Sequence, residues 1–174
     1  MDSSVWDFFV TNRPGWLVNT AKVLAVVGDE TVLLPLTFIV AVAAFARGRG
    51  SLRAAAPFAA MLATSVAIGL SKALVGRERP PVAQQLMETT SASMPSGHAA
   101  YAAALAAVAW FTIGGPTQSR MVRTGAVAAA LAAGVARLVL GVHWLTDVLA
   151  GWLVGALLGA CVVALLRRRL QSSG

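Results

Sequence analysis

The sequence is poor in the groups from which soluble enzymes usually build their sites. Of 174 residues, one is cysteine, one tyrosine, two are histidine and seven are acidic. The lone thiol, Cys161, lies inside an apolar run, so neither a disulfide framework nor a thiolate metal cluster can form within one chain. Carboxylates are too few for a metal site: only Glu78, Glu88 and Asp147 join the two histidines in the outer polar stretches, with no familiar ligand spacing. No metal ion and no other cofactor is expected. Charge is scarce as well. With 12% charged and 57% hydrophobic residues and a mean hydropathy of +0.73, the composition excludes an ordinary soluble domain. The N-terminus lacks the basic start of a secretory signal, so a membrane protein with no cleaved leader is expected.

Apolar stretches of helix-spanning length recur along the chain. A transmembrane helix needs about 20 mostly apolar residues, and five stretches approach that, at 29–46, 54–76, 97–115, 121–141 and 145–166. The expected fold class is therefore all-α, an integral-membrane helical bundle of about five transmembrane helices. Its abundant alanine and glycine allow close helix approach. Before the first span, residues 1–28 carry Trp6, Phe8, Phe9 and Trp16 among polar residues, with Pro14 able to start a second short helix. Interfacial helices fit this segment better than a further span. Asp29 and Glu30 sit at the membrane edge, where acidic residues suit a helix N-terminus. One domain, 1–174, is expected, with 1–28 interfacial, 29–166 the bundle and 167–174 a cytoplasmic tail.

The net charge of +7 does not form one patch, which argues against nucleic acid as a partner. Arg47, Arg49 and Arg53, then Arg120 and Arg123, then Arg167, Arg168 and Arg169 all fall on one side of a five-span chain. By the positive-inside tendency that side is cytoplasmic. The opposite side then holds the N-terminal segment, the loop from Arg77 to Ser96 and the turn around His143. Lys72, Arg77, Arg79 and Arg137 also lie there, against the charge rule, and an anionic ligand is the obvious reason.

Three stretches carry the chemistry: KALVGRERP from Lys72 to Pro80, PSGH from Pro95 to His98, and RLVLGVHWLTD from Arg137 to Asp147. Both histidines of the chain fall within them. His143 and Asp147, four apart, share a helix face, so the carboxylate can hold one ring nitrogen and leave the other as a nucleophile. The blander alternative is an interfacial pair beside Trp144. In PSGH, Ser96 suits the cap of a helix starting near Gly97, whose free N–H groups attract phosphate oxygens. His98 in the first turn can serve as general acid; a plain helix cap is the alternative. Lys72, Arg79 and Arg137 can neutralise the charge of a transferring phosphoryl group. Arg77 reads as a headgroup anchor.

Together the three stretches resemble the signature of the type-2 phosphatidic acid phosphatase superfamily: Lys-x6-Arg-Pro, then Pro-Ser-Gly-His, then Ser-Arg-x5-His-x3-Asp. The resemblance runs from Lys72 to Asp147, nearly half the chain. It implies that Lys72, Arg79 and Arg137 hold the phosphate together with Ser96 and the Gly97 backbone, that His143 is the nucleophile, Asp147 its orienter, and His98 the acid. The serine expected before Arg137 is Ala136, so one hydroxyl contact is missing and altered affinity is expected. Members commonly have six spans, and this chain resembles one lacking the first, with its active site facing outward.

The expected protein is thus a metal-independent phosphatase of the bacterial plasma membrane with an extracytoplasmic site. It acts on a lipid phosphate or diphosphate through a phosphohistidine. Little extramembrane chain is left to recognise a large headgroup, which favours a polyprenyl diphosphate or polyprenyl phosphate derivative, decaprenyl-phosphate sugars included. Phosphatidic acid or phosphatidylglycerol phosphate is the alternative, and a headgroup-binding scaffold the non-enzymatic one. The sequence does not specify an oligomeric state.

Overall fold

The computed structural model describes residues 1–48, 52–112 and 118–171. Arg49, residues 113–115 of the third expected span and residues 172–174 of the expected tail lie outside the described residues. Seven α-helices occupy most of the described chain: α1 (Asp2–Thr11), α2 (Gly15–Val27), α3 (Glu30–Ala46), α4 (Leu52–Val75), α5 (Gly97–Thr112), α6 (Gln118–Val139) and α7 (Leu145–Gln171). A short 3-10 turn, Val82–Gln84, interrupts the loop between α4 and α5. The expected all-α class holds.

Among the described residues, three helical stretches are long and apolar enough to cross a membrane alone: Ala54–Val75, Arg120–Val139 and Leu145–Arg169. A fourth candidate exists if α2 and α3, bent by 48°, form one broken span. The bend falls at Gly28, where a side chain would press on the Leu24 carbonyl oxygen at 2.9 Å, and at Asp29, whose carboxylate caps α3 by accepting from Thr31 N at 2.9 Å. Pro14, expected to start the second short helix, stands at its N-cap.

Helix α5 is the centre of the bundle. Ala100 and Ala104 are fully buried on it, and α4, α6 and α7 pack around it. Gly151, Gly155 and Gly159 form one face of α7. A Cβ on any of them would run into the main-chain carbonyl of Ser96, Ala100 or Ala104 respectively. Small residues at this spacing bring two backbones into contact where lipid supplies no hydrophobic drive for association.

The N-terminal segment does more than lie along an interface. Ala21 and Ala25 of α2 are buried against Ala136, Val139 and Leu140 at the end of α6. Helix α1 docks on the turn between α6 and α7, where Trp6 Nε1 donates to the Gly141 carbonyl at 3.2 Å. Gly76 and Gly141 have φ of 58° and 72°, a region glycine enters without steric cost, and they end α4 and α6 beside the site. The antiparallel course therefore brings together the C-terminal ends of α4 and α6 and the N-terminal ends of α3, α5 and α7. At the far end, Arg167 donates to the Phe111 carbonyl and the Arg123 guanidinium lies over Trp110 at 5.7 Å.

Candidate active site

Helix termini supply most of the site. Lys72 lies in the last turn of α4 and Arg137 in the last turn of α6, while Gly97 and His98 open α5 and Asp147 lies in the first turn of α7. Arg79 comes from the loop after α4, and His143 from the turn before α7. A cavity of about 610 Å³ is lined by Lys72, Arg79, Gly97, His98, Arg137 and His143, among others. The structure thus gathers six of the eight residues singled out by the sequence around one space. Ser96 and Asp147 stand directly behind it.

Asp147 is fully buried and saturated with donors. Its Oδ2 accepts from the Trp144 N–H at 2.9 Å, which caps the start of α7 from within, and from the Ser93 hydroxyl. The same oxygen faces His143 Nδ1 at 3.3 Å, and Oδ1 accepts from Arg77 Nη1 at 2.6 Å. An ionised carboxylate accepts but cannot donate, so His143 must carry its hydrogen on Nδ1. Nε2 then carries the lone pair, which accepts from Arg79 Nη1 at 3.3 Å. Burial, helped by Arg79 and Arg137, outweighs the pull of Asp147 and pushes the imidazole pKa down to about 3. The ring is therefore neutral at physiological pH.

Arg79 is fixed in place by main-chain carbonyls. Its guanidinium donates to Ser91 O at 2.7 Å from Nε and to Val142 O at 2.7 Å from Nη1, which leaves a cation beside His143 Nε2 with no carboxylate partner among the described residues. Lys72 Nζ donates to the Ser91 hydroxyl at 2.8 Å. Arg137 is 2% exposed, its Nε has no hydrogen-bond partner, and Nη1 finds only the Met87 sulfur at 3.1 Å. Ser96 also departs from expectation. Its side chain does not cap α5; the hydroxyl is buried with no hydrogen-bond partner, while its N–H donates to the Asp147 carbonyl at 2.9 Å. A buried guanidinium and hydroxyl left unsatisfied are costly unless a ligand completes them.

His98 also lines the cavity. Its Nε2 lies 2.8 Å from the Ala25 carbonyl oxygen, which can only accept, so that nitrogen donates and Nδ1 is the one left to titrate. Asp29 Oδ2 lies 3.7 Å from the same Nε2.

A family model described as the PAP2 superfamily matches residues 53–171. The chain belongs to the PAP2 superfamily. It is an integral membrane lipid phosphatase, a phosphomonoester hydrolase. No curated protein sequence matches it. Two solved structures share the fold. A transmembrane PAP2 type phosphatidylglycerolphosphate phosphatase from Bacillus subtilis is 28% identical with a TM-score of 0.85, over 96% of this chain and 85% of that one. Aquifex aeolicus LpxE is 21% identical with a TM-score of 0.74, over 94% of each chain, a likeness that speaks to fold alone.

Two features of this PAP2 chain depart from the sequence reading. Ala136, in place of the motif serine, is 3% exposed and packs in the apolar cluster with Ala21 and Ala25 of α2, where a hydroxyl would lack a partner among those alanines. Arg77 is no headgroup anchor. It bridges Asp147 and Asp2, at 2.6 and 2.7 Å, and its guanidinium lies 5.8 Å over the Trp144 ring. Burial opposes its charge, and the two carboxylates more than offset that, so its pKa lies above the ordinary arginine value. Asp2 in turn accepts from Thr146 N at 3.1 Å and caps α7 from outside. Nothing in the spacing of Arg77, Ser93 or Asp2 marks them, because their partner is a residue far along the chain.

Proposed function

We propose that the PAP2 site works by in-line displacement at phosphorus, with His143 as nucleophile. The observation that carries this reading is the lone pair of His143 Nε2, turned to the Arg79 guanidinium in a cavity that also holds Lys72, Arg137 and His98. Lys72, Arg79 and Arg137 draw the phosphoryl oxygens, and the Ser96 hydroxyl and Gly97 N–H add donors at the start of α5. Nε2 bonds to phosphorus as the ester P–O bond breaks, and protonated His98 gives its proton to the departing alkoxide. Asp147 holds Nδ1–H and stabilises the cation formed. Water then attacks phosphorus, passes a proton to His98, and the P–N bond breaks to release phosphate.

The substrate enters from lipid in this reading. Leu34 and Pro35 of α3 and Ile68 and Gly69 of α4 line the same cavity, which gives an acyl or prenyl tail an apolar exit between two helices. Charge distribution supports five spans, with α3 and α5 crossing as well, in a bacterial plasma membrane with the site on the extracytoplasmic face. Likeness to a phosphatidylglycerolphosphate phosphatase favours a glycerol phosphate lipid, while the small extramembrane content keeps a polyprenyl diphosphate or phosphate as the second reading.

The test is single-turnover hydrolysis of a lipid carrying labelled phosphate, quenched in alkali. Wild type should trap label on His143 as phosphohistidine, stable to base and labile to acid, and should do so equally in the presence of a chelator. His143→Ala should lose the label and about 1,000-fold or more of its turnover, roughly 4 kcal/mol of barrier. Phosphate release by that variant at a rate near wild type would remove His143 as nucleophile.

A further inference from the structure

The three-stretch signature leaves one part of the cavity wall unassigned. Glu30, the first residue of α3, lines the cavity together with Asp29, Ser65, Tyr101 and His98. Sequence reading placed it at the membrane edge, yet its carboxylate turns into the bundle. Oε1 accepts from the Ser65 hydroxyl of α4, and Oε2 accepts from the Tyr101 hydroxyl of α5 at 2.5 Å. Among the described residues no cation lies within salt-bridge distance of it. Tyr101 is also the group that a Cβ at Gly97 would touch, at 3.3 Å, so the trio adjoins the start of α5 and His98.

A carboxylate in a cavity whose other charged groups are mostly cations works against anion binding, and this one is braced by two hydroxyls drawn from two different helices. It has about four acceptor sites, and Ser65 and Tyr101 occupy two of them. The remainder are open to a donor on the ligand. The trio stands on the wall of His98, the residue that protonates the departing oxygen in the proposed mechanism, and so on the side where the leaving group lies. An alcohol carrying a neighbouring hydroxyl, such as a glycerol or sugar unit, offers that donor. A diphosphate offers a second anionic phosphate instead, and like charges at close range disfavour each other.

We propose that Glu30, held by Ser65 and Tyr101, is a specificity-determining residue that selects a phosphate monoester of a hydroxyl-bearing alcohol and disfavours a diphosphate. The inference rests on the site assignment above and narrows its substrate class.

The experiment compares kcat/KM of the full-length protein in detergent for two lipids: a glycerol phosphate monoester and a polyprenyl diphosphate. Wild type should prefer the monoester. Glu30→Gln keeps the shape and removes the charge, and should raise the diphosphate-to-monoester ratio about tenfold or more, with the monoester losing and the diphosphate gaining. Tyr101→Phe withdraws one donor and should shift the ratio in the same direction if that variant, rather than Glu30→Gln, is the one that folds well. A merely structural role would lower both rates together and leave the ratio unchanged, which would overturn the inference while leaving the phosphatase assignment standing. A wild-type preference for the diphosphate would overturn it equally. Absence of phosphate release from both lipids by folded wild type would overturn the assignment and this inference together.

Discussion

Replacing Arg77 by Ala tests whether a residue that need not touch the phosphate can govern turnover. The guanidinium donates to Asp147 at 2.6 Å, and Asp147 is fully buried. A charge-assisted bond of this kind contributes about 1.5–3 kcal/mol. Arg77 is itself 27% exposed at the side chain and shares its charge with Asp2, so the lower half of that range is the better guide. Asp147 would keep three donors, from Ser93, Trp144 and His143, so the carboxylate stays in place but loses its cation. Its hold on His143 Nδ1–H then loosens. If about 1.5–2 kcal/mol of this reaches the transition state, kcat falls roughly 10- to 30-fold. KM should stay within about twofold, because Lys72, Arg79 and Arg137 are untouched, and Arg77→Lys should recover part of the rate. Steady-state phosphate release from a lipid phosphate in detergent, with kcat and KM resolved, reads this directly. A raised KM with kcat unchanged would refute the reasoning, because that is the signature of lost ground-state binding and would return Arg77 to the phosphate or headgroup.

Two further outcomes follow from the packing and from His143. Gly155→Leu should destabilise the protein by about 1–3 kcal/mol or more, since its side chain would displace the Ala100 backbone. Gly125→Ala, where a Cβ meets nothing within 4 Å, should be neutral or stabilising; equal thermal shifts in detergent would contradict the α5–α7 contact. Burial holds His143 near pKa 3, below the ordinary 6.5, so between those values the unfolded chain binds the extra proton. The stability due to a neutral His143 is complete above about pH 6.5 and is lost as pH falls toward 3. His143→Asn should flatten that part of the profile of unfolding midpoint against pH, and an unchanged profile would show that His143 is not held neutral.

The readable part of this protein was what local sequence determines. Helix content followed from long apolar runs, and the gathering of Lys72, Arg79 and Arg137 around one cavity from cations standing where topology alone gives them no reason to be. The pairing of His143 with Asp147 followed from a spacing of four, although only Asp147 lies in α7 and His143 stands in the turn before it. One thing was hidden. Arg77 escaped because an arginine's partner is set by tertiary structure: Asp147 lies 70 positions away and Asp2 lies 75.

The same contrast explains why the N-terminal segment belongs to the catalytic unit. Asp2 is joined to Arg77 and Thr146, Trp6 to Gly141, Arg13 to Val139, and Ala25 to His98. Each of these bonds ends on the turn that carries His143, on the start of α7, on the residue that braces Asp147, or on the proposed acid itself. Free main-chain carbonyls at the C-terminal end of α6 and free N–H groups at the start of α7 must be satisfied when the ends are covered. Helices α1 and α2 supply that satisfaction. The amphipathic, tryptophan-rich composition that suggested a passive interfacial segment is therefore also the composition of a clamp, with Trp6 and Phe9 packed onto the bundle and Asp2 and Arg13 turned onto the ends of α6 and α7.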